Sequence, residues 1–302
     1  MATSVSNDLK RFWEDVATRM SGKKYATVLD ISGPLVWNWY MDRVQSKVLF
    51  GQLPAKIDNS IAIDAGCGVG RWSIRLAERG ATVVAFDLSR GMVREAKKRA
   101  ARKSLNSNID FIVASVTDIP LRNDIGCFSI CITVVQHLAD ISRVIPAIAE
   151  LKRTTKELYL LELTEDGNNP VKNPHSTIVQ LSTSQWLSLI GAGLNKPPRY
   201  VGVDLGVFIR IVDKFRYRIN KTFQTRLPSV KTSSAGKNVP LSRAILDEIN
   251  RPRALVMLYH VAQNLAAFFS FPIDMMLGNR LKKYTLHKLF IVEKDDENCT
   301  QR

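Results

Sequence analysis

The chain has 302 residues, 45% of them apolar, which suffices for one large domain, or one domain carrying a sizeable insertion, around an ample core. Its formal charge is +15, and the excess sits in two stretches: residues 71–103 hold ten Lys/Arg against three Asp/Glu, and residues 210–253 hold eleven against three. Such stretches attract anionic partners, phosphate, nucleic acid or acidic membrane, although the first also reads as the solvated face of a helix. Four cysteines without a Cys-x-x-Cys pair exclude a zinc site of that kind and fit free thiols in a reducing compartment. Met1 to Lys10 is polar and lacks the apolar core of a secretory leader, so a cytoplasmic location is expected.

Residues 5–56 interleave aromatic and basic side chains, among them Phe12, Trp13, Lys23, Lys24, Tyr25, Trp37, Trp39 and Tyr40. Gly33-Pro34 breaks the stretch, and Trp37 to Leu49 has the spacing of an amphipathic helix. It reads either as a lid over a ligand or as ordinary packing on a sheet.

The chain is organised around the next segment. An apolar strand, roughly 59–65, runs through Asp64 into Gly66-Cys67-Gly68-Val69-Gly70. A helix follows from Arg71 to about Glu78 with Gly80 at its C-cap, and a second apolar strand, 81–87, ends in Asp87. The glycines let the backbone take positive φ and leave no Cβ between the loop and a ligand lying against the main chain. Asp87, 21 residues beyond Gly66, ends its strand where a carboxylate accepts hydrogen bonds from both hydroxyls of a ribose. A dinucleotide site would use Gly-x-Gly-x-x-Gly, which this spacing does not supply; an NAD fold with Asp64 as a mere helix cap is the alternative.

On these residues the chain resembles class I, small-molecule-type methyltransferases that use S-adenosyl-L-methionine. The resemblance implies a doubly wound α/β fold, a seven-strand, mostly parallel sheet with helices on both faces, to which this chain is expected to add an N-terminal helical cap and a helical insertion before the last strand. It implies Asp64 under the amino-acid end of the cofactor and Asp87 on its ribose, with Gly66, Cys67, Gly68, Gly70 and Leu88 lining the same site. The expected divisions are a cap over 1–56, a cofactor-binding core over 57–209, a basic and apolar insertion over 210–285 serving as a substrate lid, and a last strand with a polar tail over 286–302.

Ser89 can cap the next helix, which extends to about Lys103, and Ile109 to Ala114 is strand three. The family places an acid for the adenine amino group after that strand, in a pattern like Gly-Asp-Ala-x-x-Leu-Pro. The matching stretch is Ala114-Ser115-Val116-Thr117-Asp118-Ile119-Pro120, which leaves adenine to Ser115 and Val116 or to Asp118. Strand four, Phe128 to Val134, is one apolar run of the kind buried on both faces. The segment after it, Val135-Gln136-His137-Leu138-Ala139-Asp140, looks like one that borders the methyl-bearing sulfur in small-molecule methyltransferases. Val134 then touches the cofactor, and His137 is the candidate general base, because neutral imidazole accepts a proton near neutral pH. The rival role for His137 is to brace the following helix.

Ile141 to Lys152 reads as a helix and Glu157 to Thr164 as strand five. Glu162, Glu165, Asp166 and His175 fall at carboxyl ends of strands, either facing substrate or solvated. Ser184 to Leu194 reads as a capped helix, Tyr200 to Ile209 as a strand and Leu286 to Lys294 as the closing strand. The ~75 residues between the last two exceed any ordinary hairpin, so they form an insertion, with Pro228 to Pro240 as a mobile loop. Within it Ala254 to Ile273 carries no charge over twenty residues. His260, Gln263, Asn264 and Pro272 argue against a membrane span. What remains is a helix packed at the substrate mouth, or one lying on a membrane surface with Arg251, Arg253, Arg280, Lys282 and Lys283 as anchors. Phe271-Pro272-Ile273-Asp274 before a strand resembles the C-terminal part of methyltransferases that accompany polysaccharide and lipid-linked sugar synthesis.

The expected acceptor is a small-molecule or lipid-linked hydroxyl, a sugar for example. Neither Asn-Pro-Pro-Tyr after strand four nor a Pro-Cys nucleophile is present. RNA methylation is the alternative within the class, and a non-catalytic cofactor-binding subunit the alternative outside it. Peripheral contact with an anionic membrane surface is a further expectation; no metal is expected.

Overall fold

The computed structural model describes residues 2–20, 35–138, 140–165, 178–179, 181–212 and 253–294. Its frame is one sheet of seven strands: β1 (Ile61–Ala65), β2 (Thr82–Asp87), β3 (Ile109–Val113), β4 (Gly126–Ile132), β5 (Thr155–Leu163), β6 (Arg199–Gly202) and β7 (His287–Glu293). The order is β3-β2-β1-β4-β5-β7-β6. Strands β1 to β5 are parallel, and β7 runs antiparallel to both β5 and β6. Strand order reverses between β1 and β4, and in open sheets the crevice beyond the carboxyl ends at such a point binds ligands. The doubly wound seven-strand expectation holds.

The helices are α1 (Ala2–Met20), α2 (Leu35–Gln52), α3 (Arg71–Ala77), α4 (Arg90–Ala101), α5 (Ile141–Thr154), α6 (Thr183–Gly191) and α7 (Arg253–Leu277). Because side chains alternate along a strand, the apolar runs feed two cores. Ala62, Ile130, Leu161 and Leu289 face a layer that includes α2, α3 and α7, whereas Ile63, Cys131, Leu160 and Phe290 face α5 and α6. Helix α2 is tied to α3 by Asp42, whose two oxygens pair with Arg71 at 3.0 Å and Arg75 at 2.7 Å. The first basic stretch is therefore not uniform. Arg71 is a half-buried, paired guanidinium, while Arg94, Lys97, Lys98, Arg102 and Lys103 are the solvated face of α4 and its exit.

Several boundaries move from their expected places. The strand expected over Tyr200 to Ile209 stops at Gly202, and residues 207–212 are helical. Asp274 of α7 bends the chain there by accepting the amide of Leu205 at 2.8 Å, and Gly206 turns it with φ 56°. Helix α6 starts at Thr183 because Ser182, not Ser184, caps it, in a reciprocal box with Gln185. Helix α7 continues through Pro272, and no described helix is long and apolar enough to cross a membrane. Lys23, Lys24, Tyr25, Asp166, His175, Pro228 to Pro240, Arg251 and Cys299 lie outside the described residues.

Candidate active site

The glycine loop is folded back on β2. The amides of Gly66 and Cys67 both donate to the carbonyl of Phe86, at 2.8 and 2.9 Å. Gly66 has φ 72°, and a Cβ on it would lie 2.5 Å from Cγ2 of Val134, so only glycine fits. Gly70, at φ 79°, is the N-cap of α3. Gly68 is different: at φ 54° a Cβ would meet nothing within 4 Å, so the loop leaves open space against its main chain. That space is what a ligand lying on the backbone requires.

Two carboxylates flank it. Asp64 is buried in β1, and its Oδ2 accepts the Ser73 hydroxyl of α3 at 2.5 Å. Burial pushes its pKa up to about 6 against the Ser73 hydrogen bonds and the Arg71 charge. Asp87 accepts the amide of Gly68 on Oδ2 and that of Ser89 on Oδ1, both at 2.9 Å, and burial raises it to about 6 as well. Each Asp87 oxygen retains a lone pair for a hydroxyl donor. An ammonium near Asp64 and a ribose near Asp87 would relieve the cost of ionising both groups. The residues present therefore fit S-adenosylmethionine.

Leu88, next to Asp87, is half-buried, while Val134 lies directly over Gly66 and Cys67 is buried within the loop. The turn after β3 also adjoins it, since the amide of Ala114 donates to Asp87 O at 3.1 Å. Within that turn Ser115 is already committed, its Oγ lying 2.8 Å from Thr117 Oγ1 and accepting the Thr117 amide. Val116 is buried and Asp118 exposed.

His137 sits on a 3-10 turn, Val135–Leu138, that begins where Thr133 takes φ 56°, an outlying conformation for a β-branched residue. The turn is fastened from below by Glu162. This fully buried carboxylate accepts the amides of Val134 and Val135 on Oε1 and of Gln136 on Oε2, at 3.2, 2.9 and 3.2 Å. Burial nevertheless pushes its pKa up to about 8. Glu162 is thus neither solvated nor facing substrate, contrary to both sequence readings; it positions the His137 turn. Glu165 is exposed. The His137 ring lies edge-on to Trp13 of α1, centroids 5.4 Å apart, and burial lowers its pKa to about 4. It is a neutral imidazole throughout the physiological range.

The roof is α1. Val16 and Ala17 pack on Val69 and Met92, and the Glu14 carboxylate accepts the amides of Arg90 and Gly91 at 2.7 and 2.9 Å. Helix α1 therefore packs on the glycine loop at Val69, while α2 packs on the sheet.

A further polar group lies at the carboxyl edge of β5, where Leu163 pairs with His287 of β7. Asp204 accepts both the amide and the Nδ1 proton of His287, at 3.0 and 2.9 Å, and its buried Oδ2 has no hydrogen-bond partner. Beside it Asp274, raised to about 6 by burial, accepts the Tyr40 hydroxyl. Sequence reasoning missed this group because its members are scattered along the chain. It also missed Glu14 and Thr133, for which no local signal exists. Among the described residues, no three His, Cys, Asp or Glu side chains are grouped to hold a metal, and Cys67, Cys127 and Cys131 are free thiols.

Residues 62–157 match the family model of a methyltransferase domain. Over 110 residues the chain is 32% identical to the tRNA 5-carboxymethoxyuridine methyltransferase of Escherichia coli (strain K12), covering 36% of this chain and 39% of that protein. Over 154 residues it is 29% identical to a ubiquinone biosynthesis O-methyltransferase of Xanthomonas oryzae pv. oryzae, covering 47% and 63%. The chain thus spans less than two thirds of the length of either relative. In fold it is similar to Haemonchus contortus phosphoethanolamine N-methyltransferase 1 in complex with phosphoethanolamine and S-adenosylhomocysteine. That likeness has a TM-score of 0.53 at 14% identity over 67% of this chain and 44% of that one.

Proposed function

Because the chain carries a class I, Rossmann-like methyltransferase domain that uses S-adenosylmethionine, we propose that it methylates a hydroxyl of a small-molecule or lipid-linked acceptor. The observation that carries this reading is the open main chain at Gly68, set between Asp64 and Asp87 and roofed by α1. The cofactor supplies a methyl group already activated by a positive sulfonium, so this chain has only to align the acceptor, exclude water and let one proton leave.

Trp13 and His137 form the wall on the acceptor side, and the Glu162 carboxylate keeps that wall still. A neutral imidazole accepts a hydrogen bond from an acceptor hydroxyl and so orients its oxygen. With a pKa near 4 it is a weak base, so its part is to orient the hydroxyl; as the new C–O bond forms, the hydroxyl proton becomes strongly acidic and leaves to the solvent outside the crevice. A crevice closed by a helix suits a small group or the end of a chain. Of the basic side chains bordering the glycine loop, Arg71 is already paired with Asp42.

RNA is the second reading, favoured by the similarity to a tRNA methyltransferase and by the exposed basic face of α4. It predicts binding that weakens steeply with salt.

Calorimetry with S-adenosylmethionine and S-adenosylhomocysteine, with NAD as control, is the first test. Binding of the first two and not of NAD is expected, and failure of both to bind a folded chain would overturn the reading. Transfer of labelled methyl to alcohol, sugar and lipid-linked acceptors, with RNA alongside, then separates the acceptors. Binding without turnover of any would assign a non-catalytic subunit.

A further inference from the structure

Helix α7 has a buried side and an exposed apolar side. At 3.6 residues per turn, its buried positions Gln263, Ala266, Ala267, Ser270 and Asp274 fall on one arc facing α2 and the sheet. Met257, Val261, Leu265, Phe268, Phe269 and Met276 fall on the opposite arc, about 120° wide. These side chains are 70, 47, 55, 64, 53 and 74% exposed. No Asp, Glu, Lys or Arg interrupts 254–273. The patch extends beyond the helix, because Phe208 lies 6.0 Å from Phe269 between centroids and its neighbours Val207 and Ile211 are exposed. A continuous apolar face of this kind on a folded surface marks an interaction site.

We propose that this face seats the protein on an anionic membrane surface. Charge selects that occupant. Arg280, Lys282 and Lys283 are exposed just past the C-terminal end of α7, beside the exposed Leu281 and Tyr284. Apolar side chains entering the acyl boundary with basic ones against the headgroups is how a helix binds along an anionic bilayer. The helix lies on the bilayer and does not cross it: its other arc is committed to the core through Asp274, Gln263 and Ser270. Asp274 also reaches the carboxyl edge of the sheet through Leu205 and Tyr40, so a seated α7 brings that edge of the crevice to the lipid.

The test is co-sedimentation of the full chain, without cofactor or acceptor, with phosphatidylcholine vesicles in which roughly one lipid in three is phosphatidylglycerol, and with pure phosphatidylcholine vesicles. It is independent of the methyl acceptor, so its failure leaves the methyltransferase reading untouched. Binding to the anionic vesicles only, weakened by salt, is expected. The Phe268→Ser/Phe269→Ser pair should weaken it at least about tenfold by removing inserted apolar surface, and Lys282→Glu/Lys283→Glu about tenfold at low salt. Unchanged calorimetric binding of S-adenosylmethionine shows that each variant is folded. Absence of vesicle binding, equal binding to both vesicle types, or binding that the serine pair leaves unchanged overturns the proposal. So does a dimer by light scattering that the serine pair abolishes without any vesicle binding, which assigns the face to a second copy.

Discussion

Glu14 of α1 accepts the amide of Gly91 in the first turn of α4, and the two helices touch so closely there that residue 91 has no room for a side chain. A Cβ at that position would lie 2.6 Å from Glu14 Oε2 and 2.8 Å from the Cβ of Ala17. The carboxylate can bend away; the Ala17 Cβ cannot move without its helix. Gly91→Ala should therefore lift α1 from the glycine loop and cost about 1–3 kcal/mol, as overpacking does. Weaker S-adenosylmethionine binding by calorimetry and faster proteolysis within residues 2–20 are expected together. Normal affinity with α1 loosened would show that the roof contributes nothing to cofactor binding.

Gly66 and Val134 form a second close approach, and here two costs can be separated. Gly66→Ala incurs about 1–2 kcal/mol for holding an L-residue at φ 72°, in addition to the clash with Val134. Adding Val134→Ala should recover the clash and leave the backbone cost, a coupling of ~0.5–3 kcal/mol in urea unfolding. Strict additivity of the two changes would mean that the loop relaxes away from Val134.

The two glycine approaches differ in how far the sequence reveals them. Gly66 was legible because its role is local: an apolar strand, a glycine spacing and an acid on the next strand all fall within one βαβ unit. Gly91 was not, because its constraint comes from α1, far away along the chain. The same distinction explains Glu162. An acid at a strand end signals a loop, and only the tertiary fold shows three amides of the preceding crossover converging on it. The strand expected over 200–209 failed for a like reason, since Asp274 turns that chain from another helix.

Asp87 ties the loop to β2 and is placed for the ribose. Asp87→Ala removes the acceptor of the Gly68 and Ser89 amides together with the ribose contact, so cofactor affinity should fall by about 1–3 kcal/mol. S-adenosylmethionine and S-adenosylhomocysteine should lose equally, because the ribose is common to both. Calorimetry with the two ligands checks this, and unchanged affinity for either would remove Asp87 from the cofactor site.

Cofactor binding should also depend on pH, with a sign fixed by burial. Asp64 and Asp87 both titrate near 6 in the free fold, against 3.8 for an ordinary aspartate, so between about 4 and 6 the folded state holds protons that the unfolded state has lost. Stability of the free protein therefore falls as pH rises through that window. A cationic ammonium near Asp64 and hydroxyl donors near Asp87 favour the ionised forms, so binding releases protons. Affinity should rise through pH 6 and level off above it, falling by up to about tenfold per pH unit below for each group. Melting temperatures with and without S-adenosylmethionine, from about pH 4.5 to 7.5, should diverge as pH rises, and calorimetry in buffers of different ionisation enthalpy should count the protons. Asp64→Asn should flatten part of the affinity profile. A profile that this change leaves unmoved would place the titrating group elsewhere.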